Sequence, residues 1–165
     1  MATIKTKGGK VLLREGKASC LCCDLYQLTI KYDWSGTGMR DLDTKTTAFG
    51  QSVGWPPEEC GNGGEYVQWI SGDNTGLNGY EQVDVLVDKA KTNGLWTSSY
   101  NISCNAGWFE PAGGSGPANL IVEYKNKTKS KSISPGSQNG CASTSVATVT
   151  VYSTPLPDES YFEIL

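Results

Sequence analysis

An all-β fold, a two-sheet antiparallel β-sandwich of about seven or more short strands, is predicted by three features of the sequence. Twenty Gly and seven Pro, with many Ser, Thr and Asn, punctuate short β-branched and aromatic runs. Within those runs apolar residues recur at every second position, the period of a half-buried strand. The third feature is length: at 165 residues the chain is one domain, able to bury roughly two-thirds of its unfolded surface without cross-links. The predicted layout is a Cys-containing N-terminal segment over 1–23 packed on the domain, a sandwich over 24–153 and a C-terminal tail over 154–165.

The first strand runs from Asp24 to Tyr32, with Tyr26, Leu28, Ile30 and Tyr32 on one face. After the turn Ser35-Gly36-Thr37-Gly38, the stretch Arg40 to Phe49 places Leu42, Thr44, Thr46 and Ala48 opposite Asp41, Asp43, Lys45 and Thr47, so the two aspartates point the same way. A Gly- and Pro-rich loop carries Trp55-Pro56-Pro57 and Cys60. Glu65 to Ile70 is a short third strand that runs into the turn-rich Ser71-Gly72-Asp73-Asn74-Thr75-Gly76. Gln82 to Val87 is the fourth strand, with Val83, Val85 and Val87 inward. Val87 to Thr92 is the sole helical segment expected, a single turn. Trp96 to Cys104, Asn119 to Asn126 and Ser145 to Tyr152 complete seven strands. The tail, ending in Tyr161-Phe162-Glu163-Ile164-Leu165, reads either as a strand completing a sheet or as a docking peptide.

Composition excludes several functions. A net charge of −3 gives no basic face to release counterions from nucleic acid. No segment has the length of a membrane span or of a signal-peptide core, so no membrane partner and a cytoplasmic setting are expected. Histidine is absent, which removes the commonest general base, and no nucleophile stands beside a base, so a non-enzymatic role is expected. Lys125, Lys127, Lys129 and Lys131 alternate along one strand face, either to grip an acidic partner or a phosphate, or to guard an edge strand against pairing.

Acidic residues carry the strongest functional signal. Calcium takes six to eight oxygen ligands from carboxylates, amide oxygens and loop carbonyls. Asp41-Leu42-Asp43 offers two carboxylates on one strand face, and the loop from Gly72 to Gly76, continuing to Glu81, adds Asp73, Asn74, Glu81 and free carbonyls. Taken singly, each acid also reads as a solvated loop residue. Brought together, Asp41, Asp43, Asp73 and Glu81 would repel one another unless a cation joined them.

In this order the motifs resemble the TerD family of tellurite-resistance and general-stress proteins, calcium-binding β-sandwiches. The likeness runs through Trp34-Ser35-Gly36, Asp41-Leu42-Asp43, Ser71 to Gly76, Glu81-Gln82-Val83 and, more loosely, Ile102 to Val122. It implies Asp41, Asp43, Asp73 and Asn74 as ligands, a carbonyl from Gly76, and Glu81 closing the shell of one calcium ion. The loop before Glu81 is shorter than in that family and lacks its preceding acidic pair, which argues against a second ion. Neither the Cys-Leu-Cys-Cys start nor the chain after Tyr124 belongs to the pattern.

Cys20, Cys22 and Cys23 cluster, whereas Cys60, Cys104 and Cys141 are scattered. Reduced thiols are expected without an export signal. The alternatives are three disulfides, or a zinc site in which the cluster joins Cys60 or Cys141, although Cys-x-Cys-Cys lacks the usual knuckle spacing. Trp34, Trp55, Trp69, Trp96 and Trp108 are expected in the core or at its rim, and an exposed pair would suit stacking on a sugar ring. Asn101-Ile102-Ser103 and Asn126-Lys127-Thr128 match the glycosylation pattern, which matters only on secretion. Two functions are therefore in view. One is a calcium-binding domain whose ion pins strand to loop. The other is a disulfide-linked structural or adhesion module binding glycan or protein at a particle or cell surface.

Overall fold

The computed structural model describes residues 12–14, 17–19, 26–110 and 113–165 of the chain. It is a two-sheet sandwich, as the alternation predicts. Thirteen strands and two short helices follow in order: β1 (Leu12–Arg14), β2 (Lys17–Ser19), β3 (Leu28–Asp33), β4 (Leu42–Ala48), β5 (Gln51–Gly54), α1 (Pro57–Cys60), β6 (Val67–Trp69), β7 (Tyr80–Val85), α2 (Val87–Thr92), β8 (Ser99–Phe109), β9 (Ala118–Tyr124), β10 (Lys127–Ile133), β11 (Gly136–Gln138), β12 (Ser145–Tyr152) and β13 (Phe162–Ile164). One sheet has the order β10-β9-β3-β7-β6, the other β13-β12-β8-β4-β5 with β11 added in parallel beside the end of β8. Strands β1 and β2 form an antiparallel pair of their own.

Alternation decides which face enters the core. Leu28, Ile30 and Tyr32 of β3 meet Val83 and Val85 of β7 and Leu120 and Val122 of β9 on one inner face. Leu42 and Ala48 of β4, Ile102, Ala106 and Trp108 of β8, and Val149 and Val151 of β12 line the other. Trp34, Trp96 and Trp108 are buried, Trp69 is half-buried, and Trp55 is exposed. The single helical turn expected over Val87 to Thr92 is present as α2, packed by the Trp96 indole, which donates to the Val87 carbonyl at 2.8 Å. Strands β5 and β11 and helix α1 had no counterpart among the predicted elements. Three or four residues are too short to show a period; pairing with β4 and β8 holds β5 and β11, and α1 is a single turn over Pro57-Glu58-Glu59-Cys60.

The tail resolves as a strand. Phe162–Ile164 pairs with β12, and Phe162 is fully buried between the sheets. The lysine stripe is engaged with it. Strand β10 is an edge, and Lys129 reaches both Asp158 (2.8 Å) and the Phe162 carbonyl (2.9 Å), while Lys127 lies 3.7 Å from Glu159 and Lys125 3.7 Å from Asp88. The Lys129 ammonium and the Ser160 hydroxyl hold the Asp158 carboxyl well below its ordinary range. Charged side chains on an edge strand thus guard it and fasten the chain terminus.

One disulfide joins Cys60 to Cys141 across 81 residues of sequence, so the expectation of reduced thiols fails for these two and they are not available to a zinc site. Cys104 is a free thiol buried in β8, its pKa pushed by burial to about 12, which removes it from both the disulfide and the metal-thiolate sets. Cys20, Cys22 and Cys23 lie outside the described residues. Among the described residues, no helix is long and apolar enough to cross a membrane.

Phe162→Ala is expected to cost about 3–5 kcal/mol of stability, the range for emptying a buried aromatic site. Urea unfolding checks it: a midpoint equal to that of the unaltered chain would mean that the tail is not part of the core.

Candidate metal centre

Asp43 is the second residue of β4 and faces away from the inner surface occupied by Leu42 and Thr44, yet it is only 1 % exposed. Strand β5 pairs with β4 from Lys45 onward, so the start of β4 has no β5 partner. The loop between β6 and β7 lies close by, where Arg40 bridges Leu77. Trp34 holds that loop. Its indole donates to the Gly76 carbonyl at 3.1 Å, its backbone N–H to the Gly79 carbonyl at 3.0 Å, and a Cβ on Gly79 would lie 2.8 Å from its ring.

Carboxylate oxygens of Asp41, Asp43 and Asp73 come within 4.8 Å of one another in this arrangement. The cause is not the strand alternation expected for Asp41 and Asp43. Asp41 precedes β4 in a left-handed conformation (φ 61°), its carbonyl accepting from the Phe109 N–H, so a turn residue and a strand residue converge. Aspartate tolerates that region better than most residues, which reconciles the side chain with the backbone.

Glu81 stands behind this trio. It lies on the inner face of β7 with Val83 and Val85, fully buried, and crosses the gap between the sheets. One carboxylate oxygen accepts from the Thr44 hydroxyl at 2.5 Å and the other from the Asn74 backbone N–H at 3.2 Å. Asn74 and Gly76 are placed differently from the ligand roles implied by the family resemblance. The Asn74 side-chain oxygen accepts from the Gly76 N–H at 2.8 Å, its amide donates to the Tyr80 carbonyl at 3.0 Å, and the Gly76 carbonyl is taken by Trp34. These residues shape the loop, and Asp41, Asp43 and Asp73 supply the converging charge.

Electrostatics follow mainly from burial, with the Arg40 charge opposing it at Asp41. Among the described residues, no Lys or Arg nitrogen lies within 4.0 Å of any of these four carboxylates. Burial, helped by the charges of Asp41 and Asp73 and opposed by the Gln138 amide, raises the pKa of Asp43 to about 7. Burial also raises Asp41 and Asp73, and it raises Glu81 most strongly despite two hydrogen bonds. Oxygen atoms alone, crowded and negative, are the donor set of a hard divalent cation.

No local signal in the sequence marks two further members. Thr44 reads as an ordinary strand residue, although it supports Glu81. Gln138, 95 residues from Asp43, donates to it at 3.0 Å and to the Gly140 carbonyl at 3.0 Å. Its oxygen lies over Gly107, the register partner of Asp43, where a Cβ would come within 2.3 Å. Comparison with protein-family models, with curated proteins and with solved structures finds no match for this chain.

The raised carboxyl pKa values set the sign of the pH dependence. In chelator, the folded chain binds more protons than the unfolded chain above the ordinary Asp value, so stability falls as pH rises from about 4. The share due to Asp43 is fully lost once pH passes its folded value of about 7, and Glu81 contributes in the same direction. Asp43→Asn is expected to flatten this decline and to raise the melting temperature at pH 8. Thermal melts in EDTA across that range measure it, and an unchanged slope in the variant would count against Asp43 as a source.

Proposed function

We propose that this domain binds one calcium ion through Asp41, Asp43 and Asp73, with Glu81 behind them, and that the ion pins the start of β4 to the β6–β7 loop. The convergence of three carboxylates supports this reading, since among the described residues no Lys or Arg nitrogen lies within 4.0 Å of them and only the Arg40 charge opposes the burial of Asp41. Water would fill the remaining positions of a six- to eight-coordinate shell. The role is non-enzymatic: the ion shapes a binding surface at this edge of the sandwich. The TerD resemblance is consistent with it and rests on the sequence motifs alone.

The Cys60–Cys141 bridge favours a second element, that the domain works in an oxidising space as a structural or adhesion module. The two readings are compatible, since extracellular modules also use calcium to stiffen loops. Thiol counting by mass spectrometry on protein from its native source separates them. Cys60 and Cys141 linked there would support the second reading, and both alkylated without reduction would remove it.

Titration calorimetry on chelated protein is expected to give one calcium per chain. Calcium at about a hundred times its dissociation constant should add about 2.7 kcal/mol, a rise in melting temperature of roughly 5–10 °C. Asp43→Ala and Asp73→Ala should each weaken binding by at least about tenfold, a loss of roughly 1.4 kcal/mol. A flat titration, or affinity unchanged in both variants, overturns the proposal.

A further inference from the structure

On the outer face of the six-stranded sheet, beside the acidic cluster, a cleft of about 340 Å³ is lined by Asp43, Trp55, Glu59, Phe109, Asn139 and Gly140. Its volume falls in the range of roughly 300–1,000 Å³ typical of small-ligand sites. The two walls come from distant parts of the chain. One is the β5–α1 segment that carries Trp55 and Glu59, the other the turn after β11 that carries Asn139 and Gly140.

These walls are fixed to each other. The Cys60–Cys141 bridge links them covalently, and a Glu59 carboxylate oxygen accepts from the Cys141 backbone N–H at 3.2 Å. Gln138 ties the second wall to the floor by donating at once to Asp43 and to the Gly140 carbonyl. Helix α1 is closed onto Pro56 by the Glu59 and Cys60 N–H groups at 3.1 and 2.8 Å. A ligand entering here meets a preformed surface and orders little of the protein, which favours binding.

The lining has a definite chemistry. Trp55 is 40 % exposed, whereas Trp34, Trp96 and Trp108 are buried and Trp69 is half-buried, so this indole leaves part of its surface open to the cleft where the others fill space. Phe109 projects from β8 beside it, on the same side of the strand as Gly107 and opposite the buried Trp108. Around the aromatics stand carboxylate oxygens of Asp43 and Glu59, each group already holding one donor from the protein, together with the amide of Asn139. Aromatic faces accept the apolar C–H face of a flat ring, and carboxylates and amides accept and donate to its hydroxyls. The two carboxylates repel phosphate and other anions.

We propose that this cleft binds a neutral pyranose sugar, stacked on Trp55 and hydrogen-bonded through its hydroxyls to Glu59 and Asn139, with Asp43 at the cleft floor. The proposal goes beyond the cation reading and does not require it, because every contact comes from the chain itself.

Saturation-transfer NMR with the full chain in EDTA tests it independently of calcium. The probes are the methyl glycosides of glucose, galactose and mannose, and N-acetylglucosamine, each at millimolar concentration, with choline as a cationic comparison. Transfer to at least one sugar is expected, strongest at ring protons of one face, with a change in the emission of the exposed Trp55. Trp55→Ala should abolish the transfer, Trp55→Phe should retain part of it, and Asn139→Ala should weaken binding at least fivefold. Circular dichroism confirms that each variant is folded. No transfer to any of the four sugars, transfer to choline alone, or sugar transfer undiminished in folded Trp55→Ala overturns the proposal. Loss of calcium binding in Asp73→Ala, with the Trp55-dependent sugar signal intact, bears on the cation reading alone and leaves the cleft assigned.

Discussion

A buried carboxylate with a hydroxyl for its partner, Glu81 against Thr44, is the interaction around which this end of the sandwich is arranged. It crosses between the two sheets, from the inner face of β7 beside Val83 and Val85 to the inner face of β4 beside Leu42 and Thr46. Burying a charge in that setting is expensive unless donors surround it. Here one hydroxyl and one backbone N–H serve, and the nearest further groups are negative. Asp43, Asp41 and Asp73 add to the same deficit. Such crowding favours the protonated forms of these carboxyls, which is what their raised pKa values express.

The backbone around the cluster is held firmly, which keeps the carboxylates from relaxing apart. Trp34 fastens the β6–β7 loop through two hydrogen bonds, and the close approach of its ring to Gly79 leaves no room for a side chain there. Gly107 plays the equivalent part under Gln138. Both glycines are required by neighbouring side chains and not by a left-handed turn. On the proposal made above, a scaffold that crowds like charges would lend affinity to a divalent ion that relieves the crowding.

Asp43 also links the two regions of interest. One side of it meets Asp41 and Asp73, and the other forms part of the floor beneath Trp55 and Asn139. Gln138 positions it from the second wall of the cleft while the disulfide holds that wall against the first. Both regions sit at one edge of a sandwich whose opposite edge is closed by β13 and the lysines of β10. The terminus therefore closes one edge, and both proposed sites lie among loops at the other.

Local patterns in the sequence determined the sandwich class, the inner faces of β3, β4 and β7, and the single turn of α2. Alternation and turn chemistry act over a few residues, and those features depend on nothing longer. Everything that joins residues far apart in sequence was decided by the tertiary structure. Thr44 supports Glu81 across 37 residues, Cys60 finds Cys141 across 81, and Gln138 reaches Asp43 across 95. Such pairings follow from strand register and sheet order, which set distances that no short window of sequence contains. The same reason explains why Asp41 joins Asp43 through a left-handed turn in place of strand alternation, why Asn74 and Gly76 spend their polar atoms inside the loop, and why Trp55 alone of five tryptophans is left facing solvent.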